Sequence, residues 1–285
     1  VRRFPVFVEW DGGDHVAAIV SVPDGEPEGL VASLAGTGRH NLVGSTMCAQ
    51  LSQRLAAKGL ASVRLDYAGV GDSPGLVPSW TLSDVGAAAR QARAVLAAAM
   101  EALAVDRFVA VGTCYGTRVA LTLVREPSCA GAVCLAPPVL DYGGLARLSR
   151  QPGGRSVLSF VRSNAALRRL ARPLRGTLQP RKPAAGVVDA LAHLDRVPIA
   201  FLYGTPSFDD HYSAQAQEVL DEALASLPSA ARERFELRML PWGPLSTFDI
   251  LSPGEQDEVL DVVVPLVQRS FLSARGPRAE ARAVS

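Results

Sequence analysis

Histidine is scarce in this chain. Four occur, His15, His40, His193 and His211, and none lies beyond position 211. No pair stands at metal-ligand spacing, so no metal site is expected. Cysteine is as sparse: Cys48, Cys114, Cys129 and Cys134, with no C-x-x-C among them. No disulfide and no structural zinc are expected, and four reduced thiols point to a cytoplasmic protein. A charge excess is missing too. Lys and Arg number 29 against 28 Asp and Glu, for a formal net charge of +1. That balance gives no global field to gather nucleic acid or an anionic membrane. No apolar run reaches the length of a membrane span. The opening Val1-Arg2-Arg3-Phe4-Pro5 lacks the apolar core of a signal peptide.

What the chain has is apolar surface to bury. It holds 285 residues at 48% hydrophobic content, which fits one domain with an insertion better than two domains. Alternating patterns near 4–10 and 15–22, joined by Asp11-Gly12-Gly13-Asp14, predict a hairpin. Beyond it, strands are expected at 29–34, 61–66, 107–112, 131–136, 197–203 and 234–240. Helices are expected at 44–58, from a Ser83-Asp84 cap to about 103, up to about 125, at 212–226 and at 254–271. Strands alternating with helices imply a mainly parallel sheet covered on both faces, with the hairpin as its antiparallel edge. Residues 141–195 break this rhythm with closely spaced Arg and Lys among Leu and Val. Phe160-Val161-Arg162 and Ala166–Arg172 read as short amphipathic helices. The expected organisation is a core over 1–140 and 196–272, an insertion over 141–195 and a disordered tail from Ser273.

The most informative stretch is Gly112-Thr113-Cys114-Tyr115-Gly116. It follows the β-type run Phe108–Val111 and precedes the apolar segment Thr117–Leu121. The pattern G-x-C-x-G at a strand-to-helix turn puts the middle side chain on a sharp bend above the sheet. Glycines flank the bend because it leaves no room for a Cβ. A thiol there is chemically apt for acyl transfer, since its thiolate attacks and leaves readily. The competing reading is a small buried hydrophobe. Two further patterns stand at matching places. Strand Leu30–Leu34 runs into Ala35-Gly36-Thr37-Gly38-Arg39-His40. Strand Ala61–Leu65 runs through Asp66 into Tyr67-Ala68-Gly69-Val70-Gly71-Asp72-Ser73-Pro74-Gly75, an R-x-D-x-x-G-x-G-x-S pattern that begins at Arg64.

With all three in order, the chain resembles the α/β-hydrolase superfamily over roughly residues 15–270, with Cys114 in place of the usual Ser. The resemblance implies an α/β-hydrolase fold and a helical lid inserted after the sixth strand, here 141–195. It implies oxyanion donors at the backbone N–H groups of Thr37 and Tyr115. Asp209, in the loop after strand 199–203, ranks first as the orienting acid. Asp141, just past the sixth strand, ranks second. The family's His follows the last strand, but in Leu240–Asp249 the matching position holds Ser246. A complete Cys-His-Asp triad is therefore not expected. His40, after the oxyanion loop, is the remaining imidazole within reach of the site, with a structural loop role as the blander reading. His15 and His193 read as structural or solvated, and His211 stands beside the acid loop at the start of a helix. A thiol can act without a base where a helix N-terminus lowers its pKa.

Cysteine-type thioesterases, acyltransferases and Dieckmann cyclases of natural-product pathways resemble this pattern. The expected substrate is an acyl thioester, small or borne on a carrier protein; the basic lid reads first as a solvated face, with docking of an acyl carrier protein as the functional alternative, and no cofactor is expected. The alternative is a catalytically degenerate member of the fold that binds a ligand or partner.

Overall fold

The computed structural model describes residues 1–10, 13–34, 46–75, 85–140, 184–205, 212–243, 245 and 251–274. Within them, eight strands form one sheet. They are β1 (Arg2–Trp10), β2 (Asp14–Val22), β3 (Leu30–Leu34), β4 (Ala61–Leu65), β5 (Phe108–Thr113), β6 (Cys129–Leu135), β7 (Ile199–Tyr203) and β8 (Phe235–Met239). Their spatial order is β1-β2-β4-β3-β5-β6-β7-β8. The first two pairings, β1 with β2 and β2 with β4, are antiparallel. All the others are parallel.

The burial of each strand follows from its place. β3, β4, β6 and β7 are buried along their whole length. Their sequences are correspondingly continuous apolar runs, as a sheet covered on both faces requires. β1, at the edge, alternates between exposed and half-buried over its second half and leaves Phe7 64% exposed. Pro5 sits there because an edge strand has N–H groups that no ladder needs.

The helices are α1 (Thr46–Ala56), α2 (Gly86–Leu103), α3 (Tyr115–Leu123), α4 (Ala185–Leu191), α5 (Ala214–Ala225), the single turn α6 (Ser229–Arg232) and α7 (Pro253–Ala274). α2 buries Ala88, Ala89, Ala92, Val95, Leu96 and Ala99, a stripe at helical spacing. It packs against α3, and α3 packs against β5 and β6. α1 and α7 pack on each other, and α7 lies along β6. The approach is close: a Cβ on Gly131 would stand 2.6 Å from Ser270 Oγ. A capping box starts α7. The Ser252 N–H donates to Glu255 Oε2 at 2.8 Å, and the Glu255 N–H donates back to Ser252 Oγ at 3.4 Å.

The expected fold is the one observed, with differences in detail. The hairpin, the strands and the alternation stand where the sequence puts them. α7 carries through Ser273, where the sequence reading starts the tail, because Ser270 and Phe271 are held in the core. α4 is a helix that periodicity alone does not announce. It lies inside the 141–195 segment, yet Val187, Ala190, Leu191 and Leu194 are buried in the main core. The Ser83-Asp84 cap, the amphipathic stretches at 160–172 and the tail beyond Ala274 lie outside the described residues.

Candidate active site

The site is built at the C-terminal edge of the parallel strands, where β5 turns into α3. Gly112 has no room for a side chain: an added Cβ would meet Gly116 O at 2.6 Å and Thr117 Cα at 2.7 Å. The two glycines of the motif therefore let strand and helix touch backbone to backbone. Cys114 sits on the bend at φ 50° and ψ −116°. Only non-glycine residues held by their surroundings keep such a backbone, at a cost of roughly 1–3 kcal/mol.

Three bonds hold it. The Cys114 N–H donates to Leu135 O on β6 at 3.1 Å, and the Thr117 N–H donates to Cys114 O at 3.1 Å. The Thr117 hydroxyl, fully buried, donates to the same carbonyl. The backbone is fixed and the side chain is left partly open to solvent, while Cys48, Cys129 and Cys134 are buried. Burial pushes the Cys129 thiol up to about 12 and raises Cys134 as well, so both stay protonated at neutral pH.

Tyr115 opens α3, so its N–H belongs to the first turn, whose N–H groups point out of the helix end. Its side chain is buried and meets Tyr67 edge to face, with ring centroids 6.3 Å apart. Tyr67 belongs to the turn after β4, so the two rings lock that turn to the elbow.

The turn after β4 is tied to itself and to its neighbours by a set of hydrogen bonds. The Asp72 N–H donates to Asp66 Oδ2 at 3.2 Å. Ser73 Oγ donates to the Asp66 carbonyl and accepts from the Ala17 N–H at 2.8 Å. The Ala68 N–H donates to Gln91 Oε1 on α2 at 3.0 Å. Gly69 and Gly71 take positive φ, 75° and 57°, which the tight path needs. The pattern R-x-D-x-x-G-x-G-x-S is thus an architectural clamp between β2, β4 and α2.

Of the residues expected at the site, Cys114 and Tyr115 are described and adjoin at the elbow. Thr37, His40, Asp141, Asp209 and Ser246 lie outside the described residues, as do Asp210 and His211. The strand ends that lead toward them do come together. Leu34 is in register with Gly112, and Leu135 with Thr113. Leu202 follows beside Leu135 by one pairing, since Ala136 N–H donates to Leu202 O at 2.7 Å. Leu240 N–H donates to Tyr203 O at 2.8 Å.

Two residues escape the sequence reading. Thr117 pins the elbow from within. Arg118, 5% exposed, donates from Nη2 to Leu140 O at 3.4 Å. An Arg within the apolar run Thr117–Leu123 is the signal that marks it, because burying a guanidinium is costly unless it is held.

Among the described residues, no group of three or more His, Cys, Asp or Glu could hold a metal ion, and no helix is long and apolar enough to cross a membrane.

A parallel sheet with an antiparallel edge, a strained residue after its central strand and an adjoining helix N-terminus define a class: folds that present a nucleophile on a strand-to-helix elbow. The family profile described as "Alpha/beta hydrolase family" matches residues 35–283, and the chain belongs to that family. Solved structures agree on the fold. A carboxyl esterase of Bacillus coagulans superposes with a TM-score of 0.64 at 12% identity, over 95% of this chain and 99% of that one. An esterase of Pyrococcus furiosus gives 0.61 at 14%, over 93% of each chain. A proline iminopeptidase of Mycobacterium smegmatis gives 0.60 at 14%, over 95% and 100%. A comparison with functionally curated protein sequences finds no match.

Proposed function

We propose that this protein is an acyl-transfer enzyme that attacks a thioester through Cys114. The observation that carries the reading is the backbone of Cys114: a non-glycine residue at φ 50°, pinned by Leu135 and Thr117, with its thiol left partly open. Ala104 and Ala136 also take positive φ, so what sets Cys114 apart is that the bend falls on a thiol-bearing residue at the head of α3.

The Cys114 thiolate adds to the carbonyl carbon of the thioester. The oxyanion that forms is met by the N–H groups of Tyr115 and Thr37. The intermediate collapses, the carbon–sulfur bond to the leaving thiol breaks, and that thiolate takes up a proton from solvent. An acyl group is left on Cys114. An acceptor nucleophile then attacks this acyl-enzyme, a thiol or amine giving up its proton to solvent, and Cys114 departs as thiolate.

Water is a poor nucleophile without a base, and Ser246 stands where the family carries its His. Transfer to a thiol, amine or carbanion, including cyclisation within the acyl chain, is favoured over hydrolysis. Asp209, with Asp141 second, orients any imidazole that takes part, and His40 is the candidate for that imidazole. A carrier-borne acyl chain docking at the basic 141–195 segment fits the Arg168-Arg169 cluster by charge.

Incubation with an acyl N-acetylcysteamine thioester tests the reading by intact mass. One acyl group per chain is expected in the parent and none in Cys114→Ala. An unchanged parent mass at millimolar thioester would leave the fold with a binding role only.

A further inference from the structure

The sheet ends on two edges, and they differ. β8 is five residues long, and its charges are paired within the chain: Arg238 and Arg269 both meet Glu236. A short, charged strand is one way a fold keeps an edge from recruiting another chain. β1 is nine residues long and pairs with β2 without a break in register from Arg2 to Trp10. Phe4 is 46% exposed and Phe7 64%. Neither Arg3 nor Glu9 forms an ion pair among the described residues, and Arg3 stands within reach of the like charge of Arg64.

The direction of each backbone group on β1 follows from β2. Ala17 N–H donates to Ser73 Oγ at 2.8 Å, and Ala17 O accepts from Asp66 N–H at 3.0 Å. Both groups of Ala17 therefore face the β4 side. Backbone groups alternate sides along a strand, so Val16, Ala18, Val20 and Val22 face β1. Their partners Val8, Val6, Phe4 and Arg2 direct their N–H and C=O groups to β2. Arg3, Pro5, Phe7 and Glu9 point theirs outward, and all four are exposed on one face of the strand. The N–H that Pro5 lacks is an outward one.

This row fits a second copy of itself in one register. An antiparallel pairing with its two-fold at Val6 sets Arg3 opposite Glu9 of the second copy, and Pro5 opposite Phe7. Each Arg3–Glu9 pair exchanges two backbone bonds, and each Pro5–Phe7 pair makes one, from Phe7 N–H to Pro5 O. Directly opposite side chains share a face, so Arg3 meets Glu9 as opposite charges and Phe7 packs on the Pro5 ring. On the other face Phe4 meets Val8. Moving the two-fold to Pro5 sets proline against proline and loses both central bonds. Moving it to Phe7 carries Arg3 beyond the end of the partner strand.

We propose that β1 is a dimerisation edge: a second copy of this chain adds its own β1 antiparallel across a two-fold at Val6, joining two eight-stranded sheets into one. β5, which carries the elbow, stands four strands in from β1. The two Cys114 residues then lie roughly 40 Å apart at about 4.8 Å per strand, and pairing at β1 does not touch the elbow.

Sedimentation equilibrium tests the proposal. The parent should show monomer and dimer with a dissociation constant in the micromolar range, since one strand pair falls below the standard interface size. Arg3→Glu and Glu9→Arg each set like charges face to face at both symmetric pairs and should weaken the dimer about tenfold or more. Arg3→Glu combined with Glu9→Arg restores opposite charges and should return the dissociation constant to within about threefold of the parent's. A parent that stays monomeric at about 500 µM overturns the proposal. So does an association that the single reversals leave unmoved or that the double reversal fails to restore. Growth past the dimer overturns it too, because a two-fold pairing closes at two copies. Should a reversal fail to fold, amide exchange in the parent decides. The Phe7 and Glu9 N–H groups should exchange more slowly in concentrated than in dilute protein, and equal exchange overturns the proposal.

Discussion

Two glycine-bearing turns stand side by side at the C-terminal edge of the sheet, and the fold treats them in opposite ways. The turn after β4, Asp66–Gly75, spends its polar groups on itself and on its neighbours. Asp66 accepts from Asp72, Ser73 bridges Asp66 and Ala17, and Ala68 bonds Gln91. Asp66 and Ser73 are buried, and positive φ falls on its glycines, where it costs little. The elbow, Gly112–Gly116, places positive φ on Cys114, where it does cost, and ties that residue's backbone to Leu135 and Thr117. One turn is arranged to be stable. The other is arranged to present a side chain. Both are equally conspicuous as motifs, so a motif's visibility says little about whether it does chemistry or holds the chain in place.

The comparison breaks first at Gly112. Gly112→Ala drives a methyl into the Gly116 and Thr117 backbone at 2.6–2.7 Å, where nothing flexible can yield. A loss of about 3 kcal/mol is expected in urea unfolding, together with loss of Cys114 reactivity, because the bend itself must move. Unchanged stability would mean that strand and helix do not meet so closely.

The next largest effect belongs to the other turn. Ser73→Ala removes the hydroxyl that satisfies the buried Ala17 N–H. A cost of roughly 1–3 kcal/mol is expected, with Cys114 alkylation unaltered in the folded protein. A variant of normal stability but impaired Cys114 would reverse the roles assigned to the two turns.

The smallest effect has the opposite sign. Cys114→Gly relieves the backbone at φ 50° and should raise stability by about 1 kcal/mol, after the entropy that glycine adds to the unfolded chain. A loss of stability would show that the bend is unstrained.

Much of this was readable in the residues, and for physical reasons. Buried parallel strands must be continuous apolar runs, so Ala61–Leu65 or Ile199–Tyr203 could be placed without coordinates. A G-x-C-x-G between such a strand and an apolar segment has few other ways to fold. α4 was not readable, because Ala185–Leu191 is short, carries Gly186 and owes its burial to partners distant in sequence. Nor was the bond of Arg118, since Leu140 O is brought to it by tertiary contact; the Thr117 bond to Cys114 O is local, but a hydroxyl bonding three residues back leaves no mark in the sequence. The positions for the acid and the base rest on resemblance, as Asp209, Asp141, His40 and Ser246 lie outside the described residues.

The central claim is that the fold leaves Cys114 partly open and buries the other three cysteines. Labelling with a limiting dose of iodoacetamide at neutral pH, read by peptide mapping, tests it most directly. Cys114 should carry nearly all the label before Cys48, Cys129 or Cys134 reacts, and the three should label together only after denaturation. Labelling of Cys48 or Cys129 ahead of Cys114 in the folded protein would contradict the account.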